Sequence, residues 1–296
     1  MKKAFLILLI LAFGTLSVLG QESGNRNYNR SGNSNERRKP PTTGLIYGNN
    51  GEMYIEAYVL LNSAPDEFVA VFGVAQEAPT AVESNRKVNA LLEQFLSAAA
   101  QLGVSRSNTF VDFITQNRVY NFTKDSDGTI REVLTGFETK KTVAIRYKDR
   151  SLLEKLLTAA AQSSIFDLIK VDYVINDMTK IHSRLFDEAV RIVKQKEENY
   201  VRQLGMAIRR IALVQENYDT HYPAELYQTY TAFESGAVDT SYYNNTNTRI
   251  IHERKSSTSF LDSLDASAFD AVLNPIGIEP MVQSTLYLKV QYSMAR

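Results

Sequence analysis

The chain has 296 residues, with 33 Lys plus Arg against 33 Asp plus Glu and a formal net charge of zero, so no global field favours nucleic acid or an anionic membrane as partner. It contains no cysteine, which excludes disulfides, thiol redox chemistry, cysteine-rich zinc sites and lipid attachment through an N-terminal cysteine. At 44% hydrophobic residues, a chain of this length can bury a core as one large domain or two coupled ones.

Residues 1–20 place Lys2 and Lys3 before the apolar run Ala4 to Ala12 and close on Val18-Leu19-Gly20. This is the pattern of a secretory signal peptide, with an uncleaved anchor as the alternative, and the mature chain is expected from about Gln21. Residues 21–52 are rich in Asn, Ser, Gly and Arg and are expected to be a disordered polar linker. The linker holds the basic knot Arg37-Arg38-Lys39, which is either solvated or meets peptidoglycan or anionic lipid. Gly44, Gly48 and Gly51 lack the lysine and following helix of a phosphate loop.

The folded domain is expected over 53–294. Tyr54 to Leu61 and Phe68 to Val74 are β-rich and flank Asn62-Ser63-Ala64-Pro65-Asp66, which predicts a hairpin. Ala78-Pro79-Thr80 opens a long helix whose Leu91, Leu92, Phe95 and Ala99 form a buried stripe. Thr109 to Phe122 and Ile130 to Tyr147 are extended, joined by Lys124-Asp125-Ser126-Asp127-Gly128, where Asp-Gly suits a tight turn. A second helix is expected over Ser151 to Gln162 and a strand over Leu168 to Ile175.

One segment occurs twice: Leu91 to Gln101 reads LLEQFLSAAAQ and Leu152 to Gln162 reads LLEKLLTAAAQ, identical at eight of eleven positions. Val111-Asp112-Phe113 comes after the first copy and Val171-Asp172-Tyr173 after the second, so the repeated unit is a helix followed by a strand. A third helix is expected over Thr179 to Leu204, with Ile181, Leu185, Ala189, Ile192, Val193, Tyr200 and Leu204 on one side and Gly205 ending it. A strand over Met206 to Gln215 comes next, and near the C-terminus Leu286, Leu288, Val290 and Tyr292 alternate with Tyr287, Lys289 and Gln291 as a half-buried strand does. The fold class read from this pattern is α+β, with duplicated strand-helix-strand units and largely antiparallel sheets carrying helices on one face.

Between the last two strands, about 217–275, lies a Tyr-rich excursion holding Tyr218, Tyr222, Tyr227, Tyr230, Tyr242 and Tyr243. Ser259 ahead of Phe260, Leu261, Leu264 and Ala268 predicts a capped short helix inside it. The excursion either packs its own aromatics on the surface or forms an arm for a neighbouring subunit.

Leu134-Thr135-Gly136-Phe137-Glu138, followed by the strand Thr142 to Tyr147 and Asp149, resembles the SIMPL-domain family of bacterial envelope proteins. Pro65-Asp66 before a strand ending in Gly73-Val74, Leu102-Gly103-Val104, Leu204-Gly205 and Pro275-Ile276 extend the resemblance over roughly Met53 to Met294, apart from the Tyr-rich stretch. Val193, Glu197, Tyr200 and Val201 are bulkier or charged where that family's third helix is typically alanine-rich. The resemblance implies an envelope protein connected with periplasmic oxidative-stress defence and brings no catalytic residues with it. In this frame Gly136 is expected to let the backbone bend or approach a neighbour, and Phe137 to anchor the core.

Catalytic and metal chemistry finds few candidates. His182, His221 and His252 lie far apart, outside any two-histidine helical spacing; His221, between Asp219 and Tyr222, is the best single binding candidate. Asp125 and Asp127 resemble the start of a calcium loop, but Gly128 and its successors in the chain break the pattern, and a turn is expected. No nucleophile elbow is present, and Met53, Met178, Met206, Met281 and Met294 are scattered rather than clustered as an oxidant sink. The expected protein is a non-enzymatic, exported envelope scaffold, without cofactor or metal, that forms a homo-oligomer or binds an envelope partner and has no nucleic-acid role. Its membrane association stays open. The alternative is a periplasmic small-molecule or peptide binder with a Tyr-rich lid.

Overall fold

The computed structural model describes residues 44–47, 51–231, 257–275 and 279–294. The expected signal peptide, the basic knot, Tyr242, Tyr243, His252 and Ile276 lie outside the described residues. In chain order the elements are β1 (Leu45–Tyr47), β2 (Glu52–Ser63), β3 (Glu67–Ala78), α1 (Ala81–Gln101), β4 (Thr109–Lys124), β5 (Ile130–Tyr147), α2 (Leu152–Gln162), β6 (Asp167–Val174), α3 (Met178–Leu204), β7 (Ile208–His221), α4 (Pro223–Leu226), β8 (Tyr227–Thr231), β9 (Ser257–Leu261), β10 (Ala271–Leu273) and β11 (Val282–Met294). The architecture is α+β, with antiparallel pairing throughout except between β10 and β2.

The duplicated segment builds one sheet, of order β4-β5-β3-β6. Its two halves, β3-α1-β4 and β5-α2-β6, each leave a gap between their strands that the other half's first strand fills, the interlocked β-α-β-β-α-β pattern. Leu92, Phe95 and Ala99 of α1 and Leu156, Ala159 and Ala160 of α2 are buried against Phe68, Ala70, Phe72, Val143 and Ile145 of the sheet. Phe72 meets Phe95 edge-on, with ring centroids 5.0 Å apart. Both copies also leave their helix in the same way. Val104 N donates to Ala99 O (3.0 Å) and Gly103 N to Ala100 O (3.0 Å), while Ile165 N donates to Ala160 O (2.8 Å) and Ser164 N to Ala161 O (3.0 Å). This is the Schellman closure, with Gly103 (φ 90) in the left-handed position of one copy and Ser164 (φ 57) in the other.

The second sheet runs β1-β2-β11-β7, with β10 also on β2. β11 pairs with β2 from Glu52 to Ser63, and the far edge of β2 is shared by β1 at Met53 to Ile55 and β10 at Val59 to Leu61. α3 covers one face, burying Leu185, Ala189, Ile192 and Val193 on Met53, Ile55, Ala57, Leu286 and Leu288. Asp177 Oδ1 accepts from Lys180 N (2.9 Å) at its start, and Gly205 (φ 64) ends it.

Five expectations need correction. The end of the linker expected to be disordered over 21–52 is a strand, because the edge of β2 at Met53 to Ile55 is open to Leu45–Tyr47 and pairs with it. β2 and β3 are not a hairpin, because each strand has both edges taken by others and the chain crosses from one sheet to the other at 64–66. Asp66 fixes that crossing: its N–H donates to Val174 O (2.8 Å) and its carboxylate accepts from Asn176 N (2.7 Å). β7 continues to His221, so the excursion begins later than Asn217. Phe260 and Leu261 lie in a strand, since β9 finds a partner in β8; only Ala266–Ala268 coils, as a 3-10 turn capped by Asp265. Phe137 is half-buried and belongs to neither core cluster, because β3 ends opposite it.

Candidate functional site

An unpartnered apolar feature among the described residues is the outer half of the β4–β5 hairpin. β3 pairs with β5 only as far as Ala78, opposite Phe137; the next residue, Pro79, has no N–H to continue a ladder, and α1 begins at Ala81. Beyond that point β4 and β5 run on together to Lys124 and Ile130 as a two-stranded ribbon. Gly136 stands at its root, where an added Cβ would lie 2.7 Å from the carbonyl oxygen of Ala78, so only glycine lets β5 pass the turning chain.

The tip of the ribbon is a closed turn. Asp125 N donates to Thr129 O (2.8 Å), Gly128 N to Asp125 O (3.0 Å) and Thr129 N to Asp127 Oδ1 (2.9 Å), and Gly128 has φ 87. The hydrogen bonds from Thr129, backbone first, hold the Asp127 carboxyl below its ordinary range. Arg131 Nε reaches Asp125 at 2.7 Å. Among the described residues no three potential metal-binding side chains converge.

Cross-strand register assigns the ribbon's faces. Tyr120 lies opposite Leu134, Phe122 opposite Glu132 and Lys124 opposite Ile130, so Tyr120, Phe122, Ile130 and Leu134 share one side. Phe122 is 73% exposed and Ile130 66%, values that belong to an uncovered contact surface rather than a core. Phe110, Phe113 and Ile114 continue the exposure toward the root of β4, whose outer edge is unpaired among the described residues. Sequence reasoning missed this surface. The sequence marked both strands as extended segments, but nothing in it said that β3 stops short of them.

The candidate tyrosines and histidines do not form one pocket among the described residues. Tyr218 pairs with Leu286 on the α3 side of the second sheet, where its ring meets His182 edge-on at 4.9 Å. His182 Nε2 lies 3.0 Å from Glu216 Oε1, tying the first turns of α3 to β7. His221 pairs with Gln283 on the opposite face, 3.5 Å from Asp219 and 3.9 Å from Glu225. Tyr222 is half-buried and caps α4, and Tyr230 is half-buried on β8 opposite Thr258. α4, just before Tyr227, packs against β6, so the start of the excursion reaches the first sheet. Pro65, Asp66 and Gly205 occupy the crossing and the helix end.

The face of the second sheet away from α3 is polar yet buried. Glu56 is 2% exposed, its carboxylate 3.2 Å from Lys289 Nζ. Burial, and then the hydrogen bond to Glu56, push the Tyr287 hydroxyl well above its ordinary value. Gln283 Nε2 donates to Asn62 Oδ1 (2.8 Å), Asn62 Nδ2 to Asn274 O (2.8 Å) and Leu264 N to Gln283 Oε1 (2.8 Å). These groups satisfy one another, so the face fastens the end of the excursion to the sheet.

No helix among the described residues is long and apolar enough to cross a membrane. The family model SIMPL, described as protein of unknown function (DUF541), matches residues 58–250. No curated protein matches the chain.

Proposed function

The chain belongs to the SIMPL family, and from that premise we propose that it is an exported, non-catalytic envelope scaffold that self-associates through the β4–β5 ribbon. The observation that carries this reading is the exposed apolar surface of Tyr120, Phe122, Ile130 and Leu134 on a ribbon that projects past its sheet. Exposed apolar surface of this kind lowers its free energy by contact with another chain. The N-terminal segment and the absence of cysteine support export without a lipid anchor. The resemblance carried by Leu134 to Asp149 supports a part in envelope or oxidative stress tolerance.

Native mass measurement on residues 21–296 tests the reading. The wild type is expected to be oligomeric at micromolar concentration, and the double variant Phe122→Ser, Ile130→Ser to shift toward monomer with its circular dichroism unchanged. A strict wild-type monomer, or a double variant that keeps the wild-type mass, counts against the ribbon.

A further inference from the structure

An open groove of about 630 Å³ runs along α1 beside β4. It exists because α1 packs on β3 and β5 and leaves the helix-side surface of β4 open at Gln116. Ala81 and Ala90 keep it wide, and Asn85, Arg86, Asn89, Glu93 and Gln116 supply its polar atoms.

The hydrogen bonds within the groove leave an asymmetric set of free groups. Lys141 Nζ donates to Asn89 Oδ1 (2.7 Å) and Asn85 Oδ1 (3.3 Å), and Asn89 Nδ2 donates to Asn85 Oδ1 (3.0 Å). Gln116 Nε2 donates to Ala81 O (3.1 Å) and Thr139 Oγ1 (3.2 Å). The Asn85 amide N–H groups and the Gln116 side-chain oxygen therefore have no partner among the described residues. Lys141 is held by neutral oxygens alone, and neither it nor Arg86 has a carboxylate within ion-pairing distance among the described residues. Glu93 likewise has no cation there.

The free charges are ordered along the helix. Arg86 lies in the second turn of α1, and Glu93 lies seven residues on, roughly 10 Å along the axis. An extended peptide spans roughly 3.3–3.6 Å per residue, so about three residues fit between them. Val82, 79% exposed, offers apolar surface to a side chain.

We propose that this groove binds a short peptide with free termini, its carboxylate at Arg86 and its ammonium toward Glu93. A simple anion would use the Arg86 end and leave Glu93 idle.

Isothermal titration calorimetry of the protein with trialanine, its C-terminal amide and its N-acetyl form tests this. Trialanine is expected to bind saturably in the millimolar range or tighter, and amidation or Arg86→Gln to weaken it about tenfold, the effect of losing one charge-assisted contact. N-acetylation is expected to weaken binding to the wild type but not to Glu93→Gln. Both substituted side chains are at the surface, and unchanged circular dichroism verifies the fold. No saturable heat with trialanine, or equal binding of the capped and free peptides, overturns the proposal. Loss with Arg86→Gln but none with Glu93→Gln or N-acetylation also overturns it, leaving an anion site only.

Discussion

Tyr147 is 5% exposed, stacked on Phe68 at 5.4 Å, and its hydroxyl is the one buried side-chain polar atom without a hydrogen-bond partner among the described residues. An unsatisfied buried hydroxyl costs roughly 1–3 kcal/mol, so Tyr147→Phe is expected to raise stability by about 1 kcal/mol in urea unfolding. The same burial pushes the Tyr147 hydroxyl up to about 12 from 10.0, and burial does the same to Tyr292, which also donates to Glu197. A folded pKa raised above the unfolded one means that the unfolded chain loses its proton first. These two groups therefore contribute fully below pH 10 and lose their contribution as pH rises toward 12. Urea midpoints across that window are expected to fall with pH, less steeply in Tyr147→Phe. The aromatic residues of this cluster were legible as apolar strand positions. That one hydroxyl would be stranded was not, since it depends on Phe68 and Tyr173 closing over it from neighbouring strands.

At the scale of elements, the duplication is the part of the fold most legible in the sequence. Identical Leu and Ala positions require identical backing, and both copies bury them against one sheet. The copies differ at the helix exit, where Gly103 takes the left-handed conformation without strain and Ser164 takes it with a Cβ. That conformation costs an ordinary residue roughly 1–2 kcal/mol, partly offset by the extra freedom glycine has when unfolded. Ser164→Gly is therefore expected to stabilise by about 0.5 kcal/mol, read as a raised urea midpoint, with Gly103→Ser shifting it down. The ribbon was legible only as two extended segments. Its projection follows from Pro79 ending β3 and from Gly136 clearing the Ala78 carbonyl, a relation between residues far apart in sequence.

For the whole molecule, the described parts of the Tyr-rich excursion act as a strap across both sheets. α4 packs on β6 of one sheet; on the other, Asp270 accepts from Tyr58 N (2.8 Å) and Lys196 Nζ (2.6 Å), while Phe269 packs on Tyr58 with ring centroids 4.4 Å apart. Asp270→Ala removes the acceptor shared by Tyr58 N and Lys196 Nζ and is expected to cost about 1 kcal/mol. Hydrogen exchange should then accelerate first in β10, which pairs with β2 beside it. The sequence by itself determined the three long helices, most strands and the duplication, because helical and strand periodicities are local and survive in any context that buries one face, while the family was carried by the motifs from Leu134 to Asp149. Tertiary structure alone decided that β2 and β3 part into different sheets, that β9 forms in place of a helix, that Phe137 stays at a margin, and that an apolar ribbon and a charged groove remain open. Each of these turns on which distant strand occupies an edge or stops short of it, and backbone pairing across such distances leaves no periodic mark along the chain.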